Sequence, residues 1–401
     1  SRGLGDVYKR QSVDSWIIDG KKVQSTQKPT IVSSTLTWEK VTTLDLGLDA
    51  RFFNDALGVT FDWYNRTTSD ILTTANLPAT LGADAPYENM GTIQTKGWEL
   101  AIDYRHTFKN GLHFGVTASV ADDKTEVTKW TYNTKIPSYG ATGWWDKSAY
   151  KEGMVLGDIW GLQFDRFLTE DDFNADGSLK AGLPDQTKVF PAGYQFAPGD
   201  VLYKDLDNNG EIVKQTNTND KGDLSVIGNA LPRLQFGLNL DAAWKGFDIS
   251  MFFQGVAKRK LWAAGNQVLP GFTTGEPFYK GAEDYWTPEN TDAFYPRPMD
   301  YKQSASGNYS VNDRYLLNMA YLRLKTFTVG YSLPKVWLSK FKVQGLRVYF
   351  TGENLFTIDG VKPAIDPEIG IRTASGKSDQ RNFGRSYPYQ KTVSFGIQLS
   401  L

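Results

Sequence analysis

Residues 98–105 (WELAIDYR) and 112–120 (LHFGVTASV), joined through Lys109-Asn110-Gly111, decide the fold. In the first run Trp98, Leu100, Ile102 and Tyr104 alternate with Glu99, Ala101, Asp103 and Arg105. In the second, Leu112, Phe114, Val116, Ala118 and Val120 alternate with His113, Gly115, Thr117 and Ser119. A period of two sends successive side chains to opposite faces of a strand, so each run has one apolar and one polar face. Asn-Gly at the junction suits the positive φ angles of a tight hairpin turn. The two runs predict an antiparallel hairpin.

The unit recurs along the chain. Leu44, Leu46, Leu48, Ala50 and Phe52 turn near Asn54-Asp55 into Leu57, Val59, Phe61 and Trp63, which are interleaved with Gly58, Thr60, Asp62 and Tyr64. Phe236, Leu238, Leu240 and Trp244 turn at Lys245-Gly246 into Phe247, Ile249, Met251 and Phe253. Phe327, Val329, Tyr331 and Leu333 precede Leu346, Val348 and Phe350, and the last run is Val393, Phe395, Ile397, Leu399 and Leu401. Runs near ten residues exceed the roughly 5–6 of a sandwich strand. Connections alternate between short (53–56, 108–111, 245–246) and long (71–94, 122–233, 254–321). Short turns on one side and long loops on the other are the pattern of an all-β, antiparallel transmembrane barrel. The competing reading is a soluble carbohydrate-binding or carbohydrate-active β-protein, whose strands also alternate. In the barrel reading Val59, Phe61, Val116, Leu238, Ile249 and Val329 face lipid, and Thr60, Thr117, Asn239 and Thr328 face the interior.

Composition narrows the classes. Hydrophobic residues are 40% of 401, and mean hydropathy is −0.42. No stretch approaches the roughly 18 apolar residues of a spanning helix, whereas a spanning strand needs only about 10 residues, every second one apolar. Aromatics reach 14%, which suits interfacial belts. Lys and Arg total 44 against 45 Asp and Glu, so no nucleic-acid footprint is present. There is no cysteine, and His106 and His113 are the only histidines, which excludes thiol chemistry and a His-rich zinc site. Among so many carboxylates no pair stands out at a catalytic spacing, so the protein reads as a non-enzyme. Ser1 to Gln11 (SRGLGDVYKRQ) matches nothing after it. It reads as non-native or disordered, with barrel sequence running over 12–401 and a true N-terminal part missing.

Several segments resemble the SusC/RagA family of TonB-dependent outer-membrane transporters. They include Leu36-Thr37-Trp38-Glu39-Lys40, Lys96-Gly97-Trp98-Glu99-Leu100, Pro198-Gly199-Asp200 and Lys204-Asp205-Leu206-Asp207. Tyr285-Trp286-Thr287-Pro288-Glu289-Asn290, Gly330-Tyr331-Ser332-Leu333-Pro334 and Gly352-Glu353-Asn354-Leu355-Phe356 follow in family order. The resemblance implies a multi-pass bacterial outer-membrane protein with an N-terminal plug inside a barrel of about 22 strands. This chain would be the C-terminal part of that barrel, with the plug and first strands absent. It further implies TonB as energy source through the missing part, a SusD-like surface lipoprotein as partner, surrounding outer-membrane lipid, and an oligosaccharide or a peptide as cargo. A passive porin-like channel is the alternative within the membrane class.

Two loop features are candidate sites. Asp205-x-Asp207-x-Asn209-Gly210-Glu211-Ile212 has the opening of a calcium loop, with oxygen ligands at alternate positions and a glycine at the sharp turn. Thr216 stands where the bidentate glutamate belongs; Asp220 or Asp223 could replace it after an insertion. The metal candidates are therefore Asp205, Asp207, Asn209 and Asp223, holding Ca2+ in an extracellular loop, with no cofactor required. Asp172-x-Asn174-x-Asp176-Gly177 is a poorer second match. In the aromatic stretch from Asn266 to Tyr321, Tyr285, Trp286, Phe294 and Tyr295 could stack on sugar faces or fold the loop onto itself. Trp144, Trp145 and Trp160 carry the same two readings.

Overall fold

The computed structural model describes residues 13–26, 36–74, 86–131, 150–214, 221–263, 265–271, 278–299, 307–338, 343–362, 365–368, 373–374, 377–378 and 387–400. Its main body is one nine-stranded sheet, in which every neighbouring pair is antiparallel and spatial order follows chain order. The strands are β1 (Lys40–Phe52), β2 (Leu57–Thr74), β3 (Tyr87–Thr107), β4 (His113–Trp130), β5 (Arg233–Trp244), β6 (Phe247–Lys258), β7 (Tyr321–Ser332), β8 (Gly345–Asp359) and β9 (Thr392–Ser400). Each of the nine alternating runs became a strand of this sheet.

The tight turns follow from local chemistry. Lys245 and Gly246 both have positive φ, 49° and 90°, the two-residue turn whose twist matches the flanking strands. Phe53, Asn54 and Asp55 are left-handed between β1 and β2. Gly111 (φ 81°) closes the turn from β3 to β4, its N–H bonding the Phe108 carbonyl at 2.9 Å.

Four strands run well beyond their alternating parts into the long connections. β2 extends to Thr74 and β3 starts at Tyr87, so the connection expected over 71–94 contracts to 75–86. β4 continues to Trp130 and β6 to Lys258, which moves the starts expected at 122 and 254. β2, β3 and β4 have 18, 21 and 18 residues, against the roughly 9–11 that span hydrocarbon. Their far ends pair beyond the alternating runs, where Ile71, Val127 and Trp130 form a buried apolar cluster with Tyr150 and Met154.

The register separates the two faces across the whole sheet. Val59, Ile102, Ala118 and Leu238 pair in sequence across β2 to β5, and Tyr104, Val116, Leu240, Met251 and Phe327 across β3 to β7. Ile249, Val329, Phe350 and Phe395 continue this face to β9. The opposite face carries Asp49, Thr60, Ala101, Ser119, Gly237 and Gln254 in one cross-strand row, and Asp103, Thr117, Asn239 and Phe252 in the next. Aromatics gather on the apolar face at the short-turn end (Tyr104, Phe114, Trp244, Phe247, Tyr331) and again higher up, where Trp63 pairs with Trp98.

Buried side chains lie mainly off the sheet, in the long connections. Residues 158–161 pair with 225–229, 164–167 with 201–203, and 260–261 with 317–318. Leu162 bridges to Asn312, joining the two connections. One apolar cluster gathers Leu162, Tyr203, Ile212 and Trp286; another gathers Trp262, Leu269, Tyr295, Tyr315 and Met319. A separate hairpin pairs 13–18 with 21–26 through Asp19 and Gly20, both at positive φ. The expectations for Ser1 to Gln11, Leu401, Trp144 and Trp145 fall outside the described residues.

Candidate functional site

The polar face is a wall of hydroxyls, amides and carboxylates. Thr60, Asp62, Glu99, Ser119, Gln235 and Gln254 line a shallow concavity of about 520 Å³ on it. Its side chains lie flat against the backbone. Arg51 of β1 reaches Asp103 of β3 at 2.7 Å, passing over Gly58 of β2. Arg347 of β8 reaches Asp248 of β6 at 2.5 Å, passing over Gly330 of β7. Each ion pair spans three strands, and the middle strand supplies a glycine because a Cβ there would meet the guanidinium. Tyr64 lies across Gly97, and Tyr349 across Gly396, by the same complementarity.

Above the wall, the loop body uses most of the aromatics that were candidates for stacking. Trp286 is 7% exposed and Tyr295 4%. The Tyr295 hydroxyl donates to the Val268 carbonyl at 3.1 Å, and its ring packs against Phe294 and Tyr315. Both side chains thus lie packed inside the loop body, while Tyr285 stays 40% exposed. Trp160 is half-buried against the apolar cluster around Leu162. The Arg314 guanidinium sits over the rings of Phe164, Phe167 and Phe294. Asp200, fully buried, accepts from Arg297 at 2.8 Å, Tyr194 at 2.8 Å and Asn308 at 3.0 Å.

The calcium-like loop folds so that Asp205, Asp207 and Asp223 bring carboxylate oxygens within 4.8 Å of one another. Asp223 is fully buried, and its two oxygens accept N–H groups of Leu206 (2.8 Å) and Val213 (2.7 Å). Loss of hydration beside its neighbours, with the charges of Asp223 and Asp205, pushes the exposed Asp207 carboxyl up, whereas N–H donors, Gly210 first, hold Asp205 down. Asn209 has a different part. Its N–H donates to Asp207 at 3.1 Å and its amide oxygen accepts from Glu211 N–H at 2.7 Å, so it shapes the turn. Three hard oxygen donors of this kind suit a divalent cation. The second calcium-like stretch does not assemble: Arg166 takes both Asp172 oxygens, at 2.6 and 2.7 Å, and holds that carboxyl down to about 2. Asp176 instead accepts from Ser178.

A charge cluster that sequence reading did not find joins β7 to the connection after β8. Arg323, 3% exposed, donates to Asp366 at 2.6 Å and lies 3.1 Å from Glu368 as an ion contact without an aligned hydrogen bond. Lys325 donates to Glu368 at 2.9 Å, and the Tyr389 ring covers both cations. The partners lie 43 residues apart, a separation at which no local pattern marks a pair.

The profile described as "TonB dependent receptor-like, beta-barrel" matches residues 3–208. TonB-dependent receptor P3 of Formosa agariphila is 27% identical over 395 residues, covering 96% of this chain and 36% of the relative. TonB-dependent receptor SusC of Bacteroides thetaiotaomicron is 24% identical over 391 residues, covering 95% and 34%. The chain thus spans about a third of these relatives. Among solved structures, the RagAB peptide transporter aligns with a TM-score of 0.65 at 20% identity, over 97% of this chain and 38% of that one, a likeness of fold. No helix among the described residues is long and apolar enough to cross a membrane. With its two-faced sheet and the profile match over half its length, the chain belongs to the TonB-dependent receptor-like β-barrel family, and it is similar to SusC in sequence and to the RagAB transporter in fold.

Proposed function

We propose that the intact protein imports an oligosaccharide across a bacterial outer membrane, driven through TonB, with a SusD-like lipoprotein at the extracellular mouth. The observation that carries this reading is the register. One continuous apolar face with aromatic ends is suited to lipid, and the opposite face offers Thr, Ser, Asn and Gln to a hydrated, polyhydroxylated cargo. Such a wall binds weakly at many points, which suits passage better than retention. Family membership supports the TonB link and the membrane setting. The fold likeness to a peptide transporter favours peptide cargo as a second reading.

A strain lacking the full-length gene tests it. Complementation should restore growth on an oligosaccharide and should fail without TonB. Uptake that persists without TonB would point to a passive channel, and growth restored only on peptides would select the second reading. Co-purification should bring down a SusD-like lipoprotein. The Asp205, Asp207 and Asp223 cluster is proposed to hold Ca2+ and to fix the loop that bears it, as a structural ion rather than a cofactor for chemistry.

A further inference from the structure

On the polar face, at the long-loop end, a cleft of about 250 Å³ opens between β7, β8 and the connection that follows β8. Arg323, Asn354, Thr357, Asp359, Tyr389 and Lys391 line it. The cleft is smaller than the roughly 300–1,000 Å³ of a drug-sized site and suits one ring of a longer chain.

Its floor is electrically quiet. Arg323 and Lys325 are matched by Asp366 and Glu368, and on its walls Lys391 is balanced by Asp359. A charged guest gains little there. What remains is polar and uncharged. The Thr357 hydroxyl accepts from Arg323 Nε at 2.8 Å, which leaves its proton to donate. The Asn354 amide donates to the Gln390 carbonyl at 3.2 Å, while its Oδ1 is buried without a hydrogen-bond partner. A buried acceptor without a donor is costly, and a turn of the amide toward the cleft would let a guest hydroxyl relieve it.

Tyr389 lines the cleft and Tyr387 precedes it by two residues, and both stand outside the apolar clusters of the loop body. Tyr387 is 96% exposed and Tyr389 56%. Pro388 between them restricts the backbone on both sides, and the two cations beneath Tyr389 hold that ring in place. Rigid tyrosines give contact area at low entropic cost. Adjacent donor and acceptor groups, no net charge and exposed ring faces together match the chemistry of a sugar: hydroxyls that donate and accept, and an apolar C–H face.

We propose that this cleft is a saccharide subsite on the wall of the transport path: one sugar ring bonds to Asn354 and Thr357 and packs on Tyr389, and the adjoining ring packs on Tyr387. This rests on the oligosaccharide reading given above and assigns it a place. The test uses the purified full-length transporter and a panel of maltoheptaose, laminarihexaose, mannohexaose and xylohexaose, with hexaalanine as the peptide arm, measured by calorimetry. At least one glycan should bind. Tyr389→Ala and Tyr387→Ala should each weaken it about tenfold, and Tyr389→Phe should retain it. Tyr387, almost wholly exposed, can be truncated without disturbing the fold, and heat-modifiable migration checks each variant. Glycan binding unchanged in both alanine variants overturns the subsite and leaves oligosaccharide import standing. A panel in which no glycan binds, whether or not hexaalanine does, overturns both.

Discussion

Val116 and Thr117 are neighbours in β4 on opposite faces, and arginine at each should have opposite consequences. Val116 pairs with Tyr104 and with Leu240. Leu240 lies midway along β5 between the aromatics Phe236 and Trp244, so the Val116 row sits near the middle of the apolar band. An arginine there has hydrocarbon on one side and Leu240, Met251 and Phe327 along its row. The cost for a lipid-facing cation near the midplane is about 2–4 kcal/mol, or roughly 30- to 900-fold in the folding equilibrium. Thr117 pairs with Asp103 and Asn239 on the polar wall, where a guanidinium finds water and a carboxylate. Val116→Arg in the full-length protein should sharply reduce the heat-modifiable folded species in outer-membrane fractions, and Thr117→Arg should leave it near wild type. Equal loss from both, or loss from Thr117→Arg alone, would refute the assignment of faces.

Four further outcomes follow from the loops and the last strand. Calorimetry on the full-length protein should give a heat of binding with Ca2+ that Asp205→Ala or Asp223→Ala removes; no heat at millimolar calcium sinks the cation site. Arg297→Ala should destabilise the loop body by about 3–5 kcal/mol, because it leaves the fully buried Asp200 carboxylate without its counter-ion; proteolysis confined to the loops would report it, and unchanged resistance would contradict it. Asp172 is held down to about 2 by Arg166, so its contribution is complete above the ordinary carboxylate value of 3.8 and fades as pH falls toward 2. Hydrogen exchange over residues 164–180 should rise across that window in wild type and already be high in Arg166→Gln. Deleting Phe395 to Leu401 should abolish insertion of the full-length protein, since it exposes the backbone edge of β8; a folded species in the membrane fraction would show that β9 is dispensable.

The nine-stranded sheet was legible because two solvents impose it. Each run from Leu44 to Leu399 alternates between lipid and water, and that demand is written residue by residue. The signal stops where the demand stops: beyond Trp63 and Trp98, 65–74 and 87–96 pair without alternating, and Ile71, Val127 and Trp130 are buried there under Tyr150 and Met154 rather than against lipid. The hairpin over 13–26 escapes for a related reason. Asp19-Gly20 is a turn dipeptide, but its strands do not alternate. In the loops, sequence could name the acids but not their partners. Asp205, Asp207 and Asp223 converge across an insertion, whereas Asp172 is captured by an arginine only six residues away. Trp286 and Tyr295 look like platforms in the sequence and are interior packing in the structure, while Tyr387 and Tyr389 stand open. The choice depends on which connection folds over which, and Leu162 meeting Asn312 is a matter of topology.

The glycines beneath the wall's side chains have a bearing on clearance. Arg51, Arg347, Tyr64 and Tyr349 are long enough to obstruct a passage, yet each is folded down onto Gly58, Gly330, Gly97 or Gly396. The relief of the polar face is therefore set less by the side chains that project than by the places where none begins. A single methyl at Gly97 or Gly396 would tip a phenol ring off the wall and into the path. A methyl at Gly58 or Gly330 would lift a guanidinium off its carboxylate and leave a loose cation on the polar face. Relief and charge of that face are thus coupled through backbone positions that carry no side chain of their own.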